Sequence, residues 1–289
     1  MELLALIKDL LNNRPSSRMQ WDVLPKALDR WNQGIAAAAE TNNDIGIFDV
    51  IGADFWGEGV TAKRISGALR SIGKDQPVTI NINSPGGDLF EGLTIYNLLR
   101  EHEGEVTVKV LGMAASAASI IAMGGDRIEI ARGGFFMIHN AWSLSVGDRN
   151  DHREFADYLE PFDRAMGDIY AVHTGIDAEE VGEMMDRETW LGGQDAVDQG
   201  FADGILESSE VKETSAQGER VAARKLDIAL AKSGMPRSER RRLLNELKSG
   251  TPSAAGGGTP NATATNTPRA VDVKAERLEI IPNPFKQER

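Results

Sequence analysis

The stretch Val106-Thr107-Val108-Lys109-Val110-Leu111-Gly112-Met113-Ala114-Ala115-Ser116-Ala117-Ala118-Ser119 decides the reading of this chain. Its first five residues alternate apolar and polar side chains, the pattern of a half-buried strand. After the small residues come Ile120-Ile121-Ala122-Met123, a helix-forming segment with no breaker until Gly124-Gly125. Ser116 therefore stands where a strand turns sharply into a helix. Such a turn exposes a nucleophile, and the free N–H groups of the first helical turn point at negative charge forming beside it. A serine hydroxyl is a weak nucleophile and needs a base. Further on, Phe135-Phe136-Met137-Ile138 reads as a buried strand with His139 at its end.

Working outward, Asp44–Ile51 reads as the first strand of the main domain, and Gly52–Gly59 as a turn carrying Phe55 and Trp56. Thr61–Ile72 has helical spacing, with Gly73 as its stop. Val78–Asn83 alternates as a strand. Ser84-Pro85-Gly86-Gly87-Asp88 breaks it, and a helix follows with Leu89, Leu93, Tyr96 and Leu99 on one face. Arg127–Ile130 is a short strand. This rhythm predicts an α/β domain with parallel pairing. Beyond a loop from Ser143 to Asp151, a long helix over His152–His173 places Phe155, Leu159, Phe162, Met166, Ile169 and Tyr170 on its apolar side. Asp177 with Glu180 starts a shorter helix ending near Met185. Asp186–Leu191 leads into a small helix, Gln194–Gln199, closed by Gly200, and Phe201–Leu206 ends the compact part.

The boundaries that result are a helical lead-in over 1–43, the main domain over 44–206, a charged helical extension over 207–249, and a disordered linker with a terminal peptide over 250–289. In the lead-in, Met1–Leu11 reads as an amphipathic helix, because Glu2, Lys8 and Asp9 interrupt any signal-peptide core. The Ala36–Ala39 run suggests helix. Gly250–Pro268 has almost no apolar residue to offset its ordering entropy, and Leu278-Glu279-Ile280-Ile281-Pro282 is a short apolar peptide at its far end. The triplet Arg240–Arg242 reads as a solvated helix face.

Composition narrows the function. The chain has 289 residues, 41% of them hydrophobic, which is enough for a sizeable core. Its net charge of -12 argues against a nucleic-acid partner. With no cysteine, disulfides, thiolate catalysis and cysteine-ligated metals are excluded, and a cytoplasmic home is the simplest reading. No apolar run approaches the roughly eighteen residues of a membrane span. His102, His139, His152 and His173 form no pair at metal-ligand spacing, so no metal is expected. Gly67–Lys74 imitates a phosphate loop, but its glycine spacing is wrong and Asp75 stands where Ser or Thr is required. No cofactor is expected.

Each candidate also has a plainer reading. Ser116 belongs to a run of small residues that would let a helix pack closely, and His139 is a histidine at a strand end. The turn geometry taken with the pair favours nucleophile and base. Ser84–Asp88 is either a strand-to-helix turn or a place where two glycines aim backbone N–H groups at a tetrahedral oxyanion.

Four segments in order, Asn83-Ser84-Pro85-Gly86-Gly87, Gly112-Met113-Ala114-Ala115-Ser116, Met137-Ile138-His139-Asn140 and Ala196-Val197-Asp198-Gln199-Gly200-Phe201-Ala202-Asp203, resemble the signature of the Clp protease proteolytic subunit family. The match runs over approximately Asp44–Leu206. Asp54-Phe55-Trp56-Gly57, Ser116-Ala117-Ala118-Ser119 and Arg187-Glu188-Thr189-Trp190 resemble its phage and prophage branch of Clp-like head maturation proteases. The resemblance implies a ClpP/crotonase-like α/β fold, a repeated β-β-α superhelix. It also implies a serine peptidase with a Ser-His-acid triad, assembled with copies of itself into a ring around the active sites. Carried over, Ser116 is nucleophile, His139 general base, and the N–H groups of Gly87 and Ala117 the oxyanion hole. The family's aspartate falls at Glu188, with Asp186 as second candidate.

The expected activity is thus a ClpP-like serine endopeptidase acting on polypeptides, a capsid or scaffold protein among them, in phage capsid maturation, either in the cytoplasm or inside the prohead. The tail would tether it to such a partner. Its rivals are a degradative Clp-type peptidase served by an ATPase unfoldase, a crotonase-like CoA-thioester enzyme sharing the fold, and an idle ring subunit.

Overall fold

The alternation of apolar strands and helices builds a parallel sheet whose long central strand ends at the candidate serine. A computed structural model describes residues 23–37, 41–53, 59–143, 145, 147–207 and 210–213, with scattered positions from 226 to 244. In chain order the elements are α1 (Pro25–Arg30), β1 (Ile35–Ala37), β2 (Asp44–Ile47), α2 (Ala62–Ile72), β3 (Val78–Ser84), α3 (Leu89–Arg100), β4 (Val106–Ala115), α4 (Ala117–Ala122), β5 (Arg127–Ala131), β6 (Phe135–Ile138), α5 (Arg149–Thr174), α6 (Ala178–Asp186), β7 (Thr189–Gly192), α7 (Gly193–Asp198), β8 (Gly204–Leu206) and β9 (Val211–Glu213).

Strands β2, β3, β4, β5 and β8 lie side by side and parallel, as expected of an α/β fold. β4 serves two neighbours in succession: residues 107–110 pair with β5, and residues 113–115 pair with β6. β6 pairs antiparallel with β7, so the sheet forks around Leu111 and Gly112. The β3–β4 register slips at the same level. Only glycine fits there, because a Cβ on Gly112 would lie 2.7 Å from Asn83 Oδ1.

Side-chain alternation divides the forked part into two faces. Ala114, Phe136, Ile138 and Leu191 point into the main core, with Ile80, Ile82, Ile95 and Ile120. Met113, Ala115 and Met137 point the other way and are covered by Val23, Leu24, Ala27, Leu28 and Trp31 from α1 and its flanks, with Trp142 and Trp190 packed against them. A strand layer that is apolar on both faces needs cover on both, and α1 supplies one side. α4 is wholly buried, and its small residues do allow close packing: a Cβ on Gly92 of α3 would lie 3.0 Å from the Cβ of Ala117. The alanine–serine run thus packs closely, as its plainer reading expects.

Several expectations change. Ala36 and Ala37, the described part of the expected Ala36–Ala39 helix, belong instead to β1, paired antiparallel with β9. Tertiary pairing overrides alanine's helix preference over so short a segment. The first strand stops at Ile47, and the chain returns to the sheet only as a bridge at Ile51. Asp49 breaks it, with its carboxylate accepting from the N–H of Val50 and its carbonyl from Ser84 Oγ. Thr189–Gly192 forms a strand where only a lead-in was expected. Arg240 is buried, with Nε 3.5 Å from Asp227 Oδ1, and so does not belong to a solvated face. Among the described residues no helix is long and apolar enough to cross a membrane. The Met1–Leu11 helix, the Phe55–Trp56 turn, most of the charged extension and the 250–289 tail lie outside the described residues.

Phe201 locks the sheet to α5. It is fully buried, with its ring centroid 6.0 Å from Phe136 and 5.9 Å from Tyr170. Phe201→Ala should cost about 3–5 kcal/mol in denaturant unfolding; a loss under about 1 kcal/mol would show that the core closes around the missing ring.

Candidate active site

Strand register alone brings the candidate residues to one edge. Ala115 pairs with Met137, so Ser116 comes alongside Ile138 and the start of the next segment. Ile138 pairs with Thr189, so one further step of the antiparallel register sets His139 opposite Glu188. Asp186, two residues earlier, is already the last residue of α6.

At the turn, Ser116 has φ 55° and ψ −126°. Ser116 and Glu188 are the two non-glycine residues with positive φ among those described. Such conformations cost about 1–3 kcal/mol each and persist only where the surroundings impose them. Here the Ser116 N–H donates to the Met137 carbonyl at 2.9 Å, and the Ser116 carbonyl accepts from the Ser119 and Ile120 N–H groups at 2.9 and 3.3 Å. The side chain is thereby presented to His139, whose Nε2 lies 2.7 Å from Ser116 Oγ. A hydroxyl held against a neutral imidazole nitrogen can pass it a proton as the oxygen attacks a carbonyl carbon.

The electrostatics keep that imidazole neutral. Burial pushes His139 down to about 4, against the negative charge of Glu188, which acts to raise it. Burial also works to raise Glu188, but hydrogen bonds from Lys26 and Trp190, with the charges of Lys26 and His139, outweigh it and hold the carboxyl below its ordinary value. Glu188 Oε2 accepts from Lys26 Nζ at 3.1 Å, and Oε1 accepts from Trp190 Nε1 at 3.2 Å. Neither oxygen is hydrogen-bonded to His139, so the carboxylate reaches the ring through charge. Asp186 is exposed and accepts from Asn140 Nδ2 at 2.7 Å, bracing the residue after His139.

The glycine turn lies against the serine. A Cβ on Gly86 would fall 2.7 Å from Ser116 Cβ and 3.2 Å from the Ala117 nitrogen. Gly86 O accepts from the Ile51 N–H and the Asp88 N–H donates to Ile51 O, the pattern of a parallel bridge centred on Gly87. The N–H of Gly87 then points away from Ile51. Among the described residues neither this N–H nor that of Ala117 has a hydrogen-bond acceptor.

Lys26 and Arg30, which sequence reasoning missed, also belong to this edge. Lys26 reaches Glu188, and the Arg30 guanidinium sits 4.4 Å over the Trp190 ring. They are 162 and 160 residues from those partners, and no local pattern marks them; their spacing on one face of a short helix was the one available signal.

A model of the Clp protease family matches residues 61–209, a span that takes in Ser116, His139 and Glu188 and leaves out α1. ATP-dependent Clp protease proteolytic subunit 1 of Salinibacter ruber is 30% identical over 156 residues, covering 52% of this chain and 67% of that protein. The solved structure of an asparagine-to-aspartate mutant of ClpP1 from Listeria monocytogenes is similar over 58% of this chain and 92% of its own, at 26% identity and a TM-score of 0.49. With half its length matched by the family model and two thirds of a 30% identical relative covered, this chain belongs to the Clp protease family.

Proposed function

We propose that this member of the family is a serine endopeptidase in which Ser116 is the nucleophile, His139 the general base and Glu188 the acid. The observation that carries the reading is the 2.7 Å contact from Ser116 Oγ to His139 Nε2 on a strained turn. His139 takes the serine proton as Oγ attacks the peptide carbonyl, and returns it to the leaving amine. The N–H groups of Gly87 and Ala117 receive the oxyanion. That neither has an acceptor among the described residues supports that role, since donors already engaged would have to break a bond first. A CoA-thioester enzyme would use the same donors without needing the serine–histidine pair.

The finer reading is a ring of identical subunits acting on capsid or scaffold protein during phage head maturation. Exposed Phe90, Phe135, Tyr158 and Val172 support association with further copies. The segments Asp54–Gly57, Ser116–Ser119 and Arg187–Trp190 support the phage assignment. Incubation with candidate capsid and scaffold proteins, followed by mass mapping, should give discrete fragments; wholesale degradation that depends on an added ATPase would favour the degradative alternative.

Ser116→Ala should abolish fluorophosphonate labelling and lower peptide hydrolysis by on the order of a thousandfold or more. Undiminished hydrolysis in that variant would sink the serine mechanism.

The pH dependence follows from His139. A base lowered to about 4 stays neutral as pH falls through 6.5, so kcat/KM should hold there and decline only near 4. Glu188→Gln removes a charge that raises the ring, so the limb should move further down while the maximal rate drops by about 10²–10⁴-fold. Asp186→Asn should stay near normal. Side-by-side rates with the reverse pattern would transfer the acid role to Asp186.

A further inference from the structure

The peptide unit joining Ser116 to Ala117 carries a carbonyl at one end and, at the other, an N–H that the proposed mechanism uses on the oxyanion. A trans peptide is planar, so its C=O and N–H point in opposite directions. Whatever fixes the Ser116 carbonyl therefore aims the Ala117 N–H. Besides two backbone N–H groups, that carbonyl accepts from a side chain: Ser119 Oγ lies 2.6 Å away. Ser119 Oγ in turn lies 2.7 Å from the Tyr170 hydroxyl of α5. Both residues are buried, Ser119 at 0% exposure and Tyr170 at 1%.

Proton counting fixes the direction of this chain. A carbonyl only accepts, so the single Ser119 hydroxyl proton is committed to Ser116 O. The Tyr170 O–H must then be the donor to Ser119 Oγ. Burial raises the phenol above its ordinary value, against the Ser119 hydrogen bond, so Tyr170 remains a donor at any working pH. Consecutive hydrogen bonds polarise one another by about 10–30% per bond. A carbonyl loaded in this way makes its own peptide N–H a stronger donor.

Neither hydroxyl is needed to fill the core, for alanine and phenylalanine would satisfy packing at these positions without burying polar groups. We propose that Ser119 and Tyr170 are positioning residues for the reaction, a two-hydroxyl chain that orients and polarises the Ala117 N–H toward the oxyanion. The proposal rests on Ser116 being the nucleophile. It assigns a catalytic consequence to a helix residue and a buried tyrosine that never touch the substrate.

The test uses the full-length protein with Ser119→Ala, Tyr170→Phe and the double variant, each of which removes an oxygen and adds no bulk. Measurements are kcat and KM on a peptide substrate, the inhibition constant of a peptide boronate whose tetrahedral adduct places an oxygen in the oxyanion site, and the thermal midpoint. Deleting an oxyanion donor outright costs about 10²–10³-fold, so losing its alignment should lower kcat in Ser119→Ala by roughly tenfold. KM should stay within about twofold, and boronate affinity should fall in step with kcat. Tyr170→Phe should show a smaller loss of the same kind, and the double variant should be no worse than Ser119→Ala, because tyrosine acts only through serine. The acid limb of kcat/KM should not move, since His139 is untouched. If Ser119→Ala fails to fold, Tyr170→Phe still removes the upstream donor and its kcat-to-KM split decides. Unchanged kcat and boronate affinity, or losses confined to the thermal midpoint and KM, would overturn the proposal while leaving the serine mechanism in place. Full activity in Ser116→Ala would remove both.

Discussion

Ser116 holds a backbone conformation that a side-chain-bearing residue avoids, and the neighbouring structure is arranged around keeping it there. Its N–H is tied to Met137, which makes β6 an extension of the turn. Its carbonyl is tied to the first turn of α4, which makes the helix another. Gly86 must lack a side chain because the serine occupies that space. The penalty of about 1–3 kcal/mol is small beside the apolar burial on both faces of β4 and β6, so a marginally stable chain can carry it. One strained residue thus sits where a strand ends, a helix begins and Gly86 must go without a side chain.

Register does the rest. Parallel pairing of β4 with β6 and antiparallel pairing of β6 with β7 line up residues 116, 139 and 188 without any side chain choosing its partner. A one-residue slip in either ladder would turn Met137 or Trp190 from the α1 side toward the main core, so hydrophobic packing enforces the register and the register enforces the site. The same packing half-buries the imidazole. Its desolvation outweighs the attraction of Glu188 and leaves the ring unprotonated at neutral pH.

Much of this was legible in the sequence because the signals are local. The strand at Phe135–Ile138, the helix stop at Gly73, and the strand-to-helix turn at Ser116 each follow from a few adjacent residues. The parts that were not legible depend on distant partners. Ile35–Ala37 became a strand because β9 pairs with it, and Arg240 is buried because Asp227 meets it. The choice between Glu188 and Asp186 could not be made from side-chain direction, since residues two apart in an extended segment share a face. What separates them is that α6 runs through Asp186, while Glu188 sits one step beyond the β6–β7 ladder. Lys26 was invisible because nothing near it in sequence points to a carboxylate.

That lysine bears on why a glutamate stands at this position. Residue 188 is set opposite His139 by the backbone, and the longer side chain carries its oxygens on to Trp190 and Lys26. Under the proposed mechanism the imidazole gains a positive charge during the reaction and then competes with the ammonium for one carboxylate. The competition is unequal. The Lys26 side chain is 69% exposed, so water already solvates its charge, and a pair of this kind is worth about 0–1 kcal/mol. The imidazolium would form where partial burial already disfavours a positive charge, and the Glu188 carboxylate acts against that cost. Under that mechanism Lys26 would hold Glu188 anionic while the ring is neutral and give it up when the ring is charged. α1, which supplies that lysine and also covers Met137, thus ties Glu188 to the apolar layer beside His139.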